Sequence, residues 1–215
     1  MKRVTLFVGH YGSGKSNLAV NYALMLRSCG KPAALADMDI VNPYFRSADS
    51  ARELEDAGVR VIALPFANTN VDLPALPSAI YGLVESRSEY AVLDVGGDDR
   101  GALALGRFVP YILEENDYEV LYVVNFYRPL TGNANDALEV MREIETAAGI
   151  RCTGIVNDSN LGGETAPSDI EATVPLAREL AALSGLPLVF TAYDARLPRP
   201  DVPGPFPLTL QRRPV

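Results

Sequence analysis

Gly9 is followed by four residues and then by Gly14-Lys15-Ser16. That spacing fits G-x-x-x-x-G-K-[ST], a glycine-rich loop whose backbone N–H groups wrap a phosphate chain. Gly9, Gly12 and Gly14 let the main chain close on an anion without Cβ atoms in the way. Gly9, Gly12, Ser13, Gly14, Lys15, Ser16 and Asn17 together make the expected cradle. A helix starting near Lys15 would aim its unsatisfied N–H groups and the positive end of its dipole at the same anion. Lys15 is then the cation for the β- and γ-phosphates, and the Ser16 hydroxyl is a ligand for Mg²⁺.

Two carboxylate groups follow buried-looking strands. Ala33 to Ala36 reads as a short apolar strand running into Asp37-Met38-Asp39, and Tyr90 to Leu93 as another ending in Asp94-Val95-Gly96-Gly97. Acidic residues at strand ends lie at the carboxyl edge of a sheet, where open α/β sheets bind ligands. A carboxylate followed by glycines after an apolar strand is also a common Mg²⁺-side element in phosphate-loop enzymes. Each acid has a plainer reading as the cap of a turn or a helix.

The elements that must hold these residues alternate. Val4 to Val8 is a strand, and Leu18, Tyr22, Met25 and Leu26 recur at helical spacing before Gly30. Periodicity and turn residues predict helices over Ser47–Ala57, Ser78–Ser86, Gly101–Leu113, Asn133–Ala148 and Asp169–Ser184, the last secure from Pro175 onward. Strands are predicted over Val59–Leu64, Glu119–Asn125, Cys152–Val156 and Leu186–Thr191. Asn68 to Leu76 and Phe126 to Gly132 read as loops. Alternation of this kind predicts a mostly parallel seven-stranded α/β sheet with helices on both faces. Residues 1–197 form one domain in this reading. Residues 198–215 hold six prolines and read as an extended or poorly ordered tail.

At 215 residues, 48% hydrophobic and 21% charged, the chain can bury a core without metals or disulfides. Cys29 and Cys152 are too few for a disulfide framework or a zinc site. No apolar run approaches a membrane span, and the chain enters a strand too early for a signal peptide, so a cytoplasmic location is expected. A net charge of −8 argues against nucleic-acid partners and leaves protein partners open.

With these motifs, residues 1–197 resemble the MinD/ParA/CobQ-type P-loop nucleotide-binding proteins, a SIMIBI-like group of P-loop NTPases. The resemblance rests on Gly9 to Ser16, Asp37-Met38-Asp39 and Asp94-Val95-Gly96-Gly97, and more weakly on Asn157 and on Thr191-Ala192-Tyr193-Asp194. It implies Mg²⁺ and ATP as cofactors. Asp39 would hold Mg²⁺ through water or orient the attacking water, and Asp94 would stand behind the metal. Gly97 would offer its N–H to the γ-phosphate, and Asn157 and Tyr193 would border the base. Many of these proteins carry a lysine directly after the first loop glycine, reaching a partner's nucleotide across a dimer. Here that position is His10, and a neutral imidazole is no substitute for a fixed cation. The proline-broken tail gives no amphipathic membrane helix. A chain with one histidine, in the phosphate loop, lacks a separate glutaminase Cys-His pair.

Three readings follow: a slow Mg-ATPase that switches affinity for a protein partner, with a homodimer possible; an ATP-dependent ligase or kinase for a small carboxylate, as in dethiobiotin synthetase; and a nucleotide-holding scaffold without turnover. Arg46, Arg100 and Arg128 fall in loops at the predicted carboxyl edge, where any of them could supply charge for hydrolysis or bind a partner; the preferred reading of each is a solvated surface arginine. Asn157-Asp158 does not continue as the Asn-Lys-x-Asp pattern that reads guanine, which favours adenine.

Overall fold

The computed structural model describes residues 1–38, 48–63, 78–85, 87–97, 103 and 105–209. Asp39, Arg46, Arg100 and the expected loop over residues 68–76 lie outside them. Strands β1 (Val4–Val8), β2 (Ala33–Met38), β3 (Val59–Ala63), β4 (Tyr90–Val95), β5 (Tyr118–Val124), β6 (Gly154–Asn157), β7 (Leu188–Asp194) and β8 (Pro205–Leu208) form one sheet. Its order is β3-β2-β4-β1-β5-β6-β7-β8, and neighbours pair in parallel throughout. The helices are α1 (Lys15–Ser28), α2 (Ala48–Asp56), α3 (Ser78–Glu85), α4 (Val109–Glu115), α5 (Ala134–Ala148) and α6 (Pro167–Ser184). Among the described residues no helix is long and apolar enough to cross a membrane.

Strand alternation sorts side chains to two faces. Val4, Leu6 and Val8 of β1 join Leu83, Phe108, Met141 and Leu180 under α3 to α6. Phe7 joins Leu18, Leu26, Leu35, Leu54 and Val92 under α1 and α2. Both faces are therefore covered by helices, as the near-continuous apolar strands require.

The sheet has eight strands, not seven. The additional strand arises in the proline-rich stretch, where Thr191↔Pro205 through Asp194↔Leu208 set the register. Prolines count against an interior strand, but β8 is at the edge, where Pro205 and Pro207 need offer no N–H. Phe206 packs on Phe190 at 4.8 Å and on Tyr22 of α1 at 6.4 Å between ring centroids. The Asn21 side chain of α1 then closes the join, donating to the Thr209 carbonyl at 3.1 Å and accepting from the Thr209 N–H at 2.8 Å.

Two prolines fall at or inside helices. Pro110 lies in the first turn of α4, where a missing N–H costs nothing. Helix α6 begins at Pro167, while Pro175 lies inside it. Asp169 secures the earlier start by accepting from the Ala166 N–H at 2.8 Å.

At the amino end of the central strand β1, Arg3 is a buried clamp. Its guanidinium forks onto the Glu115 carboxylate of α4, and it also donates to the carbonyls of Leu83, Val84 and Glu89. The two side chains are only 10% and 6% exposed, so removing one strands the other's charge. Arg3→Met is expected to lower stability by about 3–5 kcal/mol in urea denaturation. A loss within measurement error would show that the pair does not hold α3 and α4.

Candidate functional site

The loop between β1 and α1 folds as a phosphate cradle. Gly14 precedes α1 with φ 96°, and Leu18 N–H donates to its carbonyl at 3.1 Å, which starts the helix at Lys15. Helix α1 has no side-chain cap at this end and no acid in its first turn. A helix start of this kind is suited to an anion. Gly14 tolerates no side chain for a second reason: a Cβ there would stand 1.7 Å from Oδ2 of Asp158.

Gly97 closes the cradle from the other side. A Cβ on it would meet the Tyr11 nitrogen at 2.7 Å, the Lys15 Nζ at 2.9 Å and the Gly9 carbonyl at 3.0 Å. The segment after β4 thus runs against the phosphate loop and beside the Lys15 ammonium, which is 6% exposed and donates to the His10 carbonyl at 3.4 Å. Ser13 is buried, and Gly9, Gly12, Ser16 and Asn17 complete the turn. Asn17 gives its carbonyl to the Asn21 amide at 2.8 Å.

Strand order brings the acids to the same place. Asp37 of β2 and Asp94 of β4 are in register, as are Phe7 of β1 and Asp94. In-register residues of parallel strands share a face, here the one covered by α1. Both acids are buried, at 2% and 1% exposure. Asp37 is the residue to which sequence reading gave no role of its own; the order β2-β4-β1, invisible in one sequence, pairs it with Asp94. Among the described residues no three His, Cys, Asp or Glu side chains cluster as a metal cage. A hard Mg²⁺ ion needs none: one hydroxyl, phosphate oxygens and waters backed by carboxylates suffice, and Ser16, Asp37 and Asp94 fit that donor set.

Asn157 and Tyr193, the residues expected to border the base, lie to one side of the cradle, on β6 and β7. The Asn157 side chain is fully buried, donating to the Thr173 hydroxyl at 2.9 Å and accepting from the Ser159 hydroxyl at 2.6 Å and its N–H at 3.2 Å. It shapes the turn after β6. Tyr193 is partly exposed on β7, three strands from β1 and so roughly 14 Å away across the sheet.

Two other residues border the loop. Arg128, in the connection after β5, donates from Nε to the Gly12 carbonyl at 3.0 Å. Asp158 lies against Gly14, and burial holds its carboxyl well above the usual carboxylate range, with the Arg128 charge pulling it partly back. An Asn-Asp pair after a strand looks like an ordinary turn, so nothing local marked Asp158.

Neither models of known families nor curated protein sequences match this chain. Solved structures do. The chain is similar to FtsY from Mycoplasma mycoides (TM-score 0.61, 16% identity, 90% of this chain and 60% of that one). It is similar to cell division protein FtsY from Thermotoga maritima (0.61, 21%, 89% and 61%). It is also similar to the signal recognition particle receptor FtsY from Elizabethkingia anophelis in complex with GDP (0.60, 17%, 90% and 58%). The chain spans about three fifths of the length of these structures. At such identities the likeness establishes the fold: a parallel α/β sheet of the P-loop NTPase type.

A proton held by Asp158 in the folded state but not in the unfolded chain stabilises the fold at low pH. That contribution falls as pH rises from the ordinary carboxylate range, about 3.9, through the raised folded value. Asp158→Asn removes the titration. The variant is expected to gain stability on the parent as pH is raised from about 4 to about 8 in denaturation midpoints. A gap independent of pH would contradict the burial of an ionisable group there.

Proposed function

We propose that the chain binds Mg-ATP in the β1–α1 loop and hydrolyses it slowly, as a nucleotide-dependent switch for a protein partner. The observation that carries this is the joint placement of the Lys15 ammonium, the uncapped start of α1 and Gly97, with Asp37 and Asp94 in register beside them. A triphosphate is the ligand whose charge and length match a cation inside a ring of N–H donors. Mg²⁺, when bound, neutralises charge across the β- and γ-phosphates. Ser16 would hold it, with Asp37 and Asp94 accepting from its waters. The Gly97 N–H is suited to the γ-phosphate.

Hydrolysis in this reading is attack by a water in line with the bond that breaks, and its rate is set by positioning and charge. Asp39 is the residue we assign to orient that water. His10 is not a permanent cation, and its Nδ1 lies 3.0 Å from the Tyr11 carbonyl of its own loop. Slow turnover follows. A cytoplasmic location and self-association belong to the same proposal, within the SIMIBI-like group that the sequence resembles.

Adenine is favoured because Asn157-Asp158 does not continue as the Asn-Lys-x-Asp pattern that reads guanine. Asp158 is buried against Gly14, and Asp194 is gripped by Arg196, whose hydrogen bonds hold it below the usual range. Neither is open to the donors on a guanine edge. The GDP in the Elizabethkingia anophelis FtsY structure supports GTP as a second reading.

Ligand that binds only the folded chain stabilises it by about 2.7 kcal/mol at a hundred times its Kd. For a chain of this size that is a rise in Tm of roughly 5–10 °C. Mg-ATP is expected to give it, Mg-GTP a smaller one, and Lys15→Ala neither. An unchanged shift in Lys15→Ala would put the phosphates elsewhere. Asp39→Asn is expected to keep the shift and lose phosphate release; turnover equal to the parent's would remove Asp39 from the chemistry.

A further inference from the structure

Arg128 stands on a rigid platform at the rim of the phosphate loop. Its backbone is extended, at φ −102° and ψ 141°, and Pro129 begins a short 3-10 turn, Pro129–Thr131, directly after it. The Arg128 N–H donates to the Asn125 carbonyl at 3.1 Å, and the Thr131 hydroxyl donates to the same carbonyl at 2.7 Å. The Asn125 side chain receives the Tyr127 N–H at 3.0 Å, and the Ser159 hydroxyl receives the Phe126 N–H at 2.9 Å. Four of the six positions from 126 to 131 are thus tied to Asn125 at the end of β5 or to the turn after β6.

From this base the side chain reaches Gly12, 116 positions away, through one hydrogen bond from Nε. Its terminal N–H groups make no hydrogen bond or ion pair among the described residues, and the residue is exposed. Asp158, the carboxylate whose field reaches it, lies on the inner side of the loop against Gly14. One N–H of a planar fork is fixed on the loop while the rest of the fork faces outward.

We propose that Arg128 is a second cation for the triphosphate, supplied by the same chain. It acts at the terminal phosphate while Nε remains on Gly12. The inference rests on the nucleotide-binding reading above and adds to it a residue that touches the ligand. Lys15 and the loop N–H groups take the phosphate chain from inside, but a Mg-bound triphosphate still carries net negative charge, most of it at its end. A guanidinium forms paired, charge-assisted hydrogen bonds to phosphate oxygens, and it keeps its charge at every physiological pH. Fixing one N–H beforehand lowers the rotamer entropy lost when the others bind. His10 lacks the permanent charge for this role.

The test is a set of titrations of the full chain with a non-hydrolysable Mg-ATP analogue and with Mg-ADP, with the guanosine counterparts in parallel. The chains are the parent, Arg128→Ala and Arg128→Gln. Arg128→Ala is expected to weaken the triphosphate analogue about tenfold and the diphosphate less than twofold, with the ligand-free Tm unchanged. Arg128→Gln, which keeps a donor for Gly12 but no charge, is expected to lose the same preference. Equal weakening of both nucleotides would make Arg128 a prop for the loop and overturn the proposal. So would no change, or a Gln variant that keeps the parent's preference. A parent chain that binds no nucleotide overturns the underlying reading, and this inference with it; a parent that binds while the variants match it overturns this inference alone.

Discussion

A cation and a helix N-terminus pressed against the carboxyl edge of a sheet concentrate positive charge where the chain has little water to dilute it. Lys15 is 6% exposed, and α1 begins at that residue without a cap. Such an arrangement is stable only if negative charge is near. The protein supplies part of it through Asp37 and Asp94, buried on the α1 side of β2 and β4. In the reading proposed above, a nucleotide adds to it. Sheet order, glycine placement and the fixing of α1 can each be traced to this need.

Helix α1 is held along its length. Phe7 meets Tyr22 edge-on at 5.5 Å, the Tyr22 hydroxyl donates to Glu119 at 3.0 Å, and Asn21 pairs with the backbone of Thr209. Thus β8, a strand with two prolines at the far edge of the sheet, is joined through its end to the helix that carries the phosphate loop. A helix so held keeps its N–H groups aimed without a ligand, which limits the ordering that binding must supply.

Much of this could be read from the residues. The phosphate loop carries its chemistry in consecutive positions, and the strands are apolar runs between turn residues, so their existence and order along the chain were visible. What was not visible depends on neighbours distant in sequence. Strand β8 escaped because Pro205 and Pro207 argue against a strand unless its outer edge is known to be open. Pro167, not Pro175, starts α6 because Asp169 reaches back to the Ala166 N–H, a contact weaker as a sequence signal than a proline in mid-pattern. Asp37 gained its place from register with Asp94. Asn157 is tied at both ends of its amide to Thr173 and Ser159, contacts that no local pattern announces.

The most direct test of the central claim, that Gly9 to Ser16 together with Gly97 hold the phosphates of a Mg-nucleotide, is amide hydrogen exchange of the full chain with and without a non-hydrolysable Mg-ATP analogue. Protection is expected in peptides covering residues 9–17 and 95–97, because their N–H groups become donors to phosphate oxygens. Protection that leaves these peptides unchanged and falls elsewhere, or none at saturating nucleotide, would contradict the account.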